Sequence, residues 1–173
     1  MSLLVAETWS GANSAMKKPP TTLLAAGMGA AAGLRSLTPP AVLTWAATQK
    51  MIPLGESPVG ELVLAKASKK IMELALGELI ADKLPFTPDR ISPGPLTARI
   101  VSGAACGAAI SYSAKQPVQE GAIFGALGAI AGAFVGYYLR KKLVRQLPSL
   151  AVALAEDALA VAAAFAIVSQ LSE

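Results

Sequence analysis

The chain has 173 residues, 54% hydrophobic and only 15% charged, with a formal net charge of +4 and a mean hydropathy of +0.53. Soluble domains carry about 25% charged residues, so this balance points to lipid as the solvent of much of the surface; an Ala-rich soluble bundle is the alternative. With no histidine and one cysteine, His-ligated metals, His-based acid–base chemistry, Cys-pair zinc sites and an internal disulfide are excluded.

Residues 1–20 form an N-terminal tail without the charged start and long apolar run of a signal peptide, and Lys17-Lys18 before Pro19-Pro20 suits an interfacial anchor. From residue 21 to 173 the sequence reads as one transmembrane helical domain, an all-α, polytopic bundle of about six helices. The first two span about 21–37 and 40–51, a helix broken at Pro39-Pro40. The second piece is about 18 Å long at 1.5 Å per residue, short of the roughly 30 Å hydrocarbon core, so it is half a span or a displaced one. The third, about 58–84, is long enough to cross but carries Lys66, Lys69, Lys70 and Glu73 on one face and Glu78 and Asp82 on another. The first set reads as a headgroup-level stripe.

Four prolines in "PFTPDRISPGP" make a stiff connector to a fourth helix at about 95–114, where Cys106 reads as a small buried residue. A fifth helix, about 118–146, is the clearest span, and a sixth, about 149–171, is apolar at both ends around Glu156-Asp157. "GAACG" at 103–107 echoes "GAAAG" at 29–33, and three helices followed by three would suit a 3+3 inverted repeat. The Arg-rich connectors at 84–99 and 139–147 fall on one side, which the positive-inside tendency makes cytoplasmic, with the C-terminus outside.

Three groups of residues stand out. Arg35 is expensive at bilayer depth, on the order of 2.5–3.5 kcal/mol on the lenient insertion scale. It reads either as a snorkelling helix end or, with the Pro39-Pro40 break, as part of a polar path. The carboxylates Glu78, Asp82, Glu156 and Asp157 match it and can pair with Arg35, Arg99 and Arg140, as an ionic lock or as a route for a cation or proton. Glu156, seven residues into its helix, is the leading carboxylate. Gly29 and Gly33, Gly103 and Gly107, and Gly128, Gly132 and Gly136 keep the spacing that lets helix backbones touch; the last three form a glycine zipper, serving packing within the chain or a homo-oligomer.

The stretches "GLRSLTPPAV" (33–42), "ADKLPFTPDRISPGPLTARIVSGA" (81–104) and "ALAEDALA" (153–160) resemble a family of small, Ala/Gly-rich bacterial integral membrane proteins, a domain of unknown function. The resemblance covers most of the chain after residue 20. It implies a multi-pass protein of the bacterial inner membrane and implies no activity.

Function therefore rests on the residues. No phosphate loop, nucleotide fingerprint or nucleophile elbow is present, so no enzyme and no cofactor or metal is expected. The basic residues lie beside apolar segments without a stacking platform, so the partners expected are the lipid bilayer, a second copy or other membrane proteins, and no nucleic acid. The leading reading is passage of a small ion or solute, as a channel or transporter; the alternative is a non-transporting structural or accessory subunit.

Overall fold

The computed structural model describes residues 19–54, 58–81 and 92–172, and among them the chain is all-α: six helices and no strand. These are α1 (Thr21–Leu34), α2 (Thr38–Thr48), α3 (Pro58–Ala81), α4 (Pro93–Ser113), α5 (Val118–Leu143) and α6 (Ser149–Ser172). Each expected helix is found within a few residues of its bounds. α5 and α6 are long and apolar enough to cross a membrane, and α1 is apolar but shorter.

The break between α1 and α2 is not where the prolines suggest. α1 ends at Leu34, Arg35 is extended (φ −142°, ψ 113°), and Pro39 and Pro40 lie inside the first turn of α2. The first four N–H groups of a helix have no partner within it, so prolines there remove nothing and pre-set the backbone for helix. The chain turns at Arg35–Leu37, and Pro39-Pro40 starts a helix rather than breaking one.

Contacts along α6 measure where the chain goes. Gly27 lies against Ile167, Arg35 meets Asp157, and Trp45 packs edge-on against Phe165 at 5.5 Å. The chain thus descends α6 along α1, turns, and climbs back along α2. α3 then descends beside α2, with Thr48 near Ser68 and Thr38 near Leu79. α5 runs parallel to α1, since Gly29 lies on Gly125 and Gly33 on Ala129 and Ala133. α4 runs against α5, with Gly103 at Gly125 and Gly107 at Gly121. Successive helices therefore alternate in direction, and the two halves run in opposite senses. They are not equal halves, however. The first opens with helices of 14 and 11 residues where the second has 21 and 26.

The close-packed centre is α1, α4 and α5. Gly29, Gly33, Gly103, Gly107, Gly128, Gly132 and Gly136 are all buried. A Cβ on Gly29 would run into the backbone of Gly125, one on Gly128 into Ala26, and one on Gly132 into Ala30. α5 is thus gripped on two sides: Gly121 and Gly125 receive α4, while Gly128 and Gly132 receive α1. The zipper glycines Gly128 and Gly132 are used inside the chain, which takes them away from any contact between copies.

On α5 the buried residues are all glycine or alanine. Ala25, Ala32, Ala129, Ala133, Ala160 and Ala164 are fully buried, while Ile123, Val135 and Leu159 on α5 and α6 are 58%, 63% and 58% exposed. Large apolar side chains exposed along α5 and α6 make a surface suited to contact with lipid or another protein.

By the alternation in helix direction the ends of α3 and α5 and the starts of α4 and α6 point the same way, and Arg140, Lys141 and Lys142 lie in the last turn of α5. The stripe Lys66, Lys69 and Lys70 falls nearer the other end, since Lys69 lines a cavity with Thr48 in the last turn of α2, which Lys50 follows. Lys50 (φ 59°) and Lys115 (φ 54°) follow the last residues of α2 and α4 in the left-handed conformation that commonly ends a helix. The bonds Met51 N–H to Ala46 O and Gln116 N–H to Ser111 O close the two ends.

Candidate functional site

The hairpin α1–α2 turns inside the bundle. Gly33, in the last turn of α1, lies beside Ala129 and Ala133, close to the middle of the 26-residue α5. At such a turn two helix ends meet: the carbonyl end of α1 and the N–H end of α2. Each leaves backbone groups without a helical partner, and buried groups of this kind cost about 1–3 kcal/mol each unless bonded.

Side chains from two other helices supply the bonds. The carboxylate of Glu78, from α3, accepts the Ser36 N–H on Oε1 and the Leu37 N–H on Oε2, both at 2.9 Å, and the Ser36 hydroxyl also donates to Oε1. A carboxylate placed on the positive end of a helix dipole is favoured electrostatically as well. At the opposite pole, Arg99 of α4 donates from Nη1 to the Gly33 carbonyl at 3.0 Å, a cation at the negative end of α1. The Ser102 hydroxyl donates to the Ser36 carbonyl. Within the turn, the Arg35 N–H bonds to Ala31 O at 2.9 Å and Ala41 N–H to Leu37 O at 3.1 Å.

Arg35 itself is fully buried. Its Nε donates to Asp157 Oδ1 at 2.6 Å and its Nη2 forms an ion pair with the same carboxylate. Glu156 points to a different partner: its Oε2 accepts from Arg140 Nη1 at 3.3 Å. The leading carboxylate for Arg35 is therefore Asp157, not Glu156. Neighbouring residues on a helix point about 100° apart, and the face of Asp157 is the one turned to the hairpin. The Arg140–Glu156 pair is looser, with Arg140 27% exposed.

Arg35, Glu78, Arg99 and Asp157 thus converge on the hairpin tip, Arg140 and Glu156 form a second pair on the α5–α6 side, and Asp82 lies outside the described residues. Pro39 and Pro40 line up behind the tip as the start of α2. Ser36, Ser102, Gly121 and Gly125 were not singled out from the sequence. The Gly121–Gly125 spacing was readable in "GAIFG", whereas a lone serine in an apolar helix carries no signal of its partner. Among the described residues no three His, Cys, Asp or Glu side chains come together as a metal site.

The tip is closed. An apolar cavity of about 270 Å³ between α2, α3 and α6 reaches Thr38 and Leu79, one turn from the tip, and Arg35 is not in its wall. No family model, no curated protein and no solved structure matches the chain.

Proposed function

We propose that the chain is a multi-pass protein of the bacterial inner membrane, with α1–α2 as a re-entrant hairpin, and that a small ion or solute passes at the hairpin tip. Three features support the membrane part: two helices long and apolar enough to cross, large apolar side chains exposed along them, and small residues where α1, α4 and α5 touch. A hairpin of 14 and 11 residues, about 21 and 16 Å long, is too short for either arm to cross alone.

The passage reading is carried by one observation: Arg35, Arg99, Glu78 and Asp157 meet where two half-length helices end between other helices. Broken helices whose ends face a site near the bilayer midplane are how many transporters bind charged solutes. Stability alone is a weak reason for such a cluster, because an apolar replacement of a buried ion network is often as stable or more so. In this reading Glu78 occupies the N-terminus of α2 in the closed state and leaves it when α3 moves.

A second reading has its own observation. Arg35 is fully buried and both helix ends at the tip already have side-chain partners, which suits a fixed lock in a structural or accessory subunit. Flux from proteoliposomes separates the two. Proton, potassium, chloride and small amino-acid fluxes are measured for the native protein, Glu78→Gln and Arg35→Lys. Passage at the tip requires at least one flux above empty liposomes that both variants lose while staying folded, since lysine cannot reproduce the two-nitrogen grip of arginine. Background flux for all four probes leaves the lock as the reading that stands.

A further inference from the structure

α3 touches the rest of the molecule chiefly through α2 and the Glu78 clasp, and the space between α3 and α6 is not filled. The cavity of about 270 Å³ there is walled by Ala41, Val42, Trp45, Leu76, Val161 and Phe165. It shares Trp45 and Leu76 with a more open cavity of about 420 Å³ that extends to Thr48, Ser68 and Lys69. Together they make one apolar groove along α2.

Its length and its mouth both identify an occupant. From Thr38 at the inner end to Thr48 at the outer end the groove follows α2 for about 15 Å at 1.5 Å per residue. That is half of the roughly 30 Å hydrocarbon core, the depth of one leaflet. The mouth is basic: Lys69 lines it, and Lys66 and Lys70 are exposed beside it. Glu73 lies on the same rim, so three ammonium groups stand against one carboxylate. Lysines at headgroup level attract anionic lipid, and an apolar slot one leaflet deep accepts a hydrocarbon chain.

We propose that this groove holds an acyl chain of an anionic phospholipid, with the headgroup phosphate on Lys69 between Lys66 and Lys70. The proposal rests on the membrane reading above. A zwitterionic lipid fills the same slot without the charge match at the mouth, so the site selects for anionic lipid.

Trp45 in the groove wall is the reporter. The chain has two tryptophans, so Trp9→Phe leaves Trp45 alone. The variant is first mixed with lipid vesicles and floated. A chain that stays in the aqueous fraction overturns the membrane reading itself, and the lipid site with it. If it floats, Trp45 fluorescence is measured in bilayers with either brominated phosphatidylglycerol or brominated phosphatidylcholine as the minor component. The expected result is quenching by the anionic lipid at about fivefold lower mole fraction, the scale of one lysine's attraction to an anionic surface. A Lys66→Gln, Lys69→Gln, Lys70→Gln triple variant, changed only at exposed positions, keeps the quenching and loses the preference. Equal quenching by both lipids in the native background, or a preference that survives in the triple variant, overturns the proposal. So does no quenching by either, which would mean that protein from a second copy or another partner covers the groove.

Discussion

α5 and α3 are close in length, 26 and 24 residues, yet they meet their neighbours in opposite ways. α5 is held by what its side chains lack: glycines at 121, 125, 128 and 132 let the backbones of α4 and α1 come into contact on two sides. On α3 a Cβ at Gly77 would meet nothing, and the helix leaves cavities along its length. Beyond its packing on α2, α3 is held at the tip by one carboxylate on two backbone N–H groups. Close backbone packing spreads its attraction over many weak contacts and has no alternative arrangement. A clasp made by one side chain is a discrete contact that opens or closes as a unit.

The largest expected effect is at Arg35, which ends the glycine-packed α1 and also belongs to the charged tip. Arg35→Gln removes a fully buried arginine from its ion pair with the half-buried Asp157 and is expected to cost about 3 kcal/mol, the lower end of the range for breaking a buried pair, measured by unfolding in detergent. Arg35→Gln with Asp157→Asn should recover much of that loss, whereas Arg35→Gln with Glu156→Gln should not. Simple additivity for the first pair would show that the tip does not act as a network.

Close behind is the glycine face. Gly125→Leu drives a side chain into the Gly103 carbonyl and should cost about 3 kcal/mol, the upper part of the overpacking range. Gly132→Leu, against Ala30, should follow it, and Ala163→Leu, only half-buried, should change little. Equal melting temperatures for Gly132→Leu and Ala163→Leu would remove the distinction drawn for α5.

The clasp on α3 should prove weaker. Glu78→Gln keeps one carbonyl acceptor and loses the other, an expected cost of about 1–2 kcal/mol. Its sharper sign is local. In a Cys106→Ser background, a thiol placed by Ala75→Cys faces the groove and should react faster with a maleimide once Glu78 is changed. Unchanged labelling would mean that α3 is fixed by more than its clasp. Smallest of all is Arg140→Gln, whose pair is long and partly exposed and should cost under about 1 kcal/mol by the same unfolding measurement.

These regions were not equally legible in the sequence. The helices were, because prolines and loop residues separate long apolar runs, and the tip charges were, because an arginine in such a run is conspicuous. Which carboxylate Arg35 meets was not: Glu156 and Asp157 are adjacent, and only the rotation of α6 decides between them. The prolines misled for a related reason. Pro39-Pro40 marks a helix boundary truthfully but does not say on which side the helix lies, and a start is as compatible with it as a stop. Gly121 and Gly125 were overshadowed by the longer run at 128, 132 and 136, although they carry the α4 contact. The basic stripe at 66–70 lies at the end away from the Arg-rich connectors, which evens out the charge asymmetry used to orient the chain.

The hairpin also sets an order of events during synthesis. Arg35 leaves the ribosome 122 residues before Asp157, which at 5–20 residues per second is a wait on the order of ten seconds. Gly29 waits for Gly125 in the same way. α1 and α2 are therefore made well before the helices they pack on, and their contacting faces stay unpartnered by α5 and α6 until the second half exists. Contacts so distant along the chain close slowly. A chaperone or insertion factor that binds this nascent N-terminal hairpin would act on the step at which the protein is most exposed to misfolding.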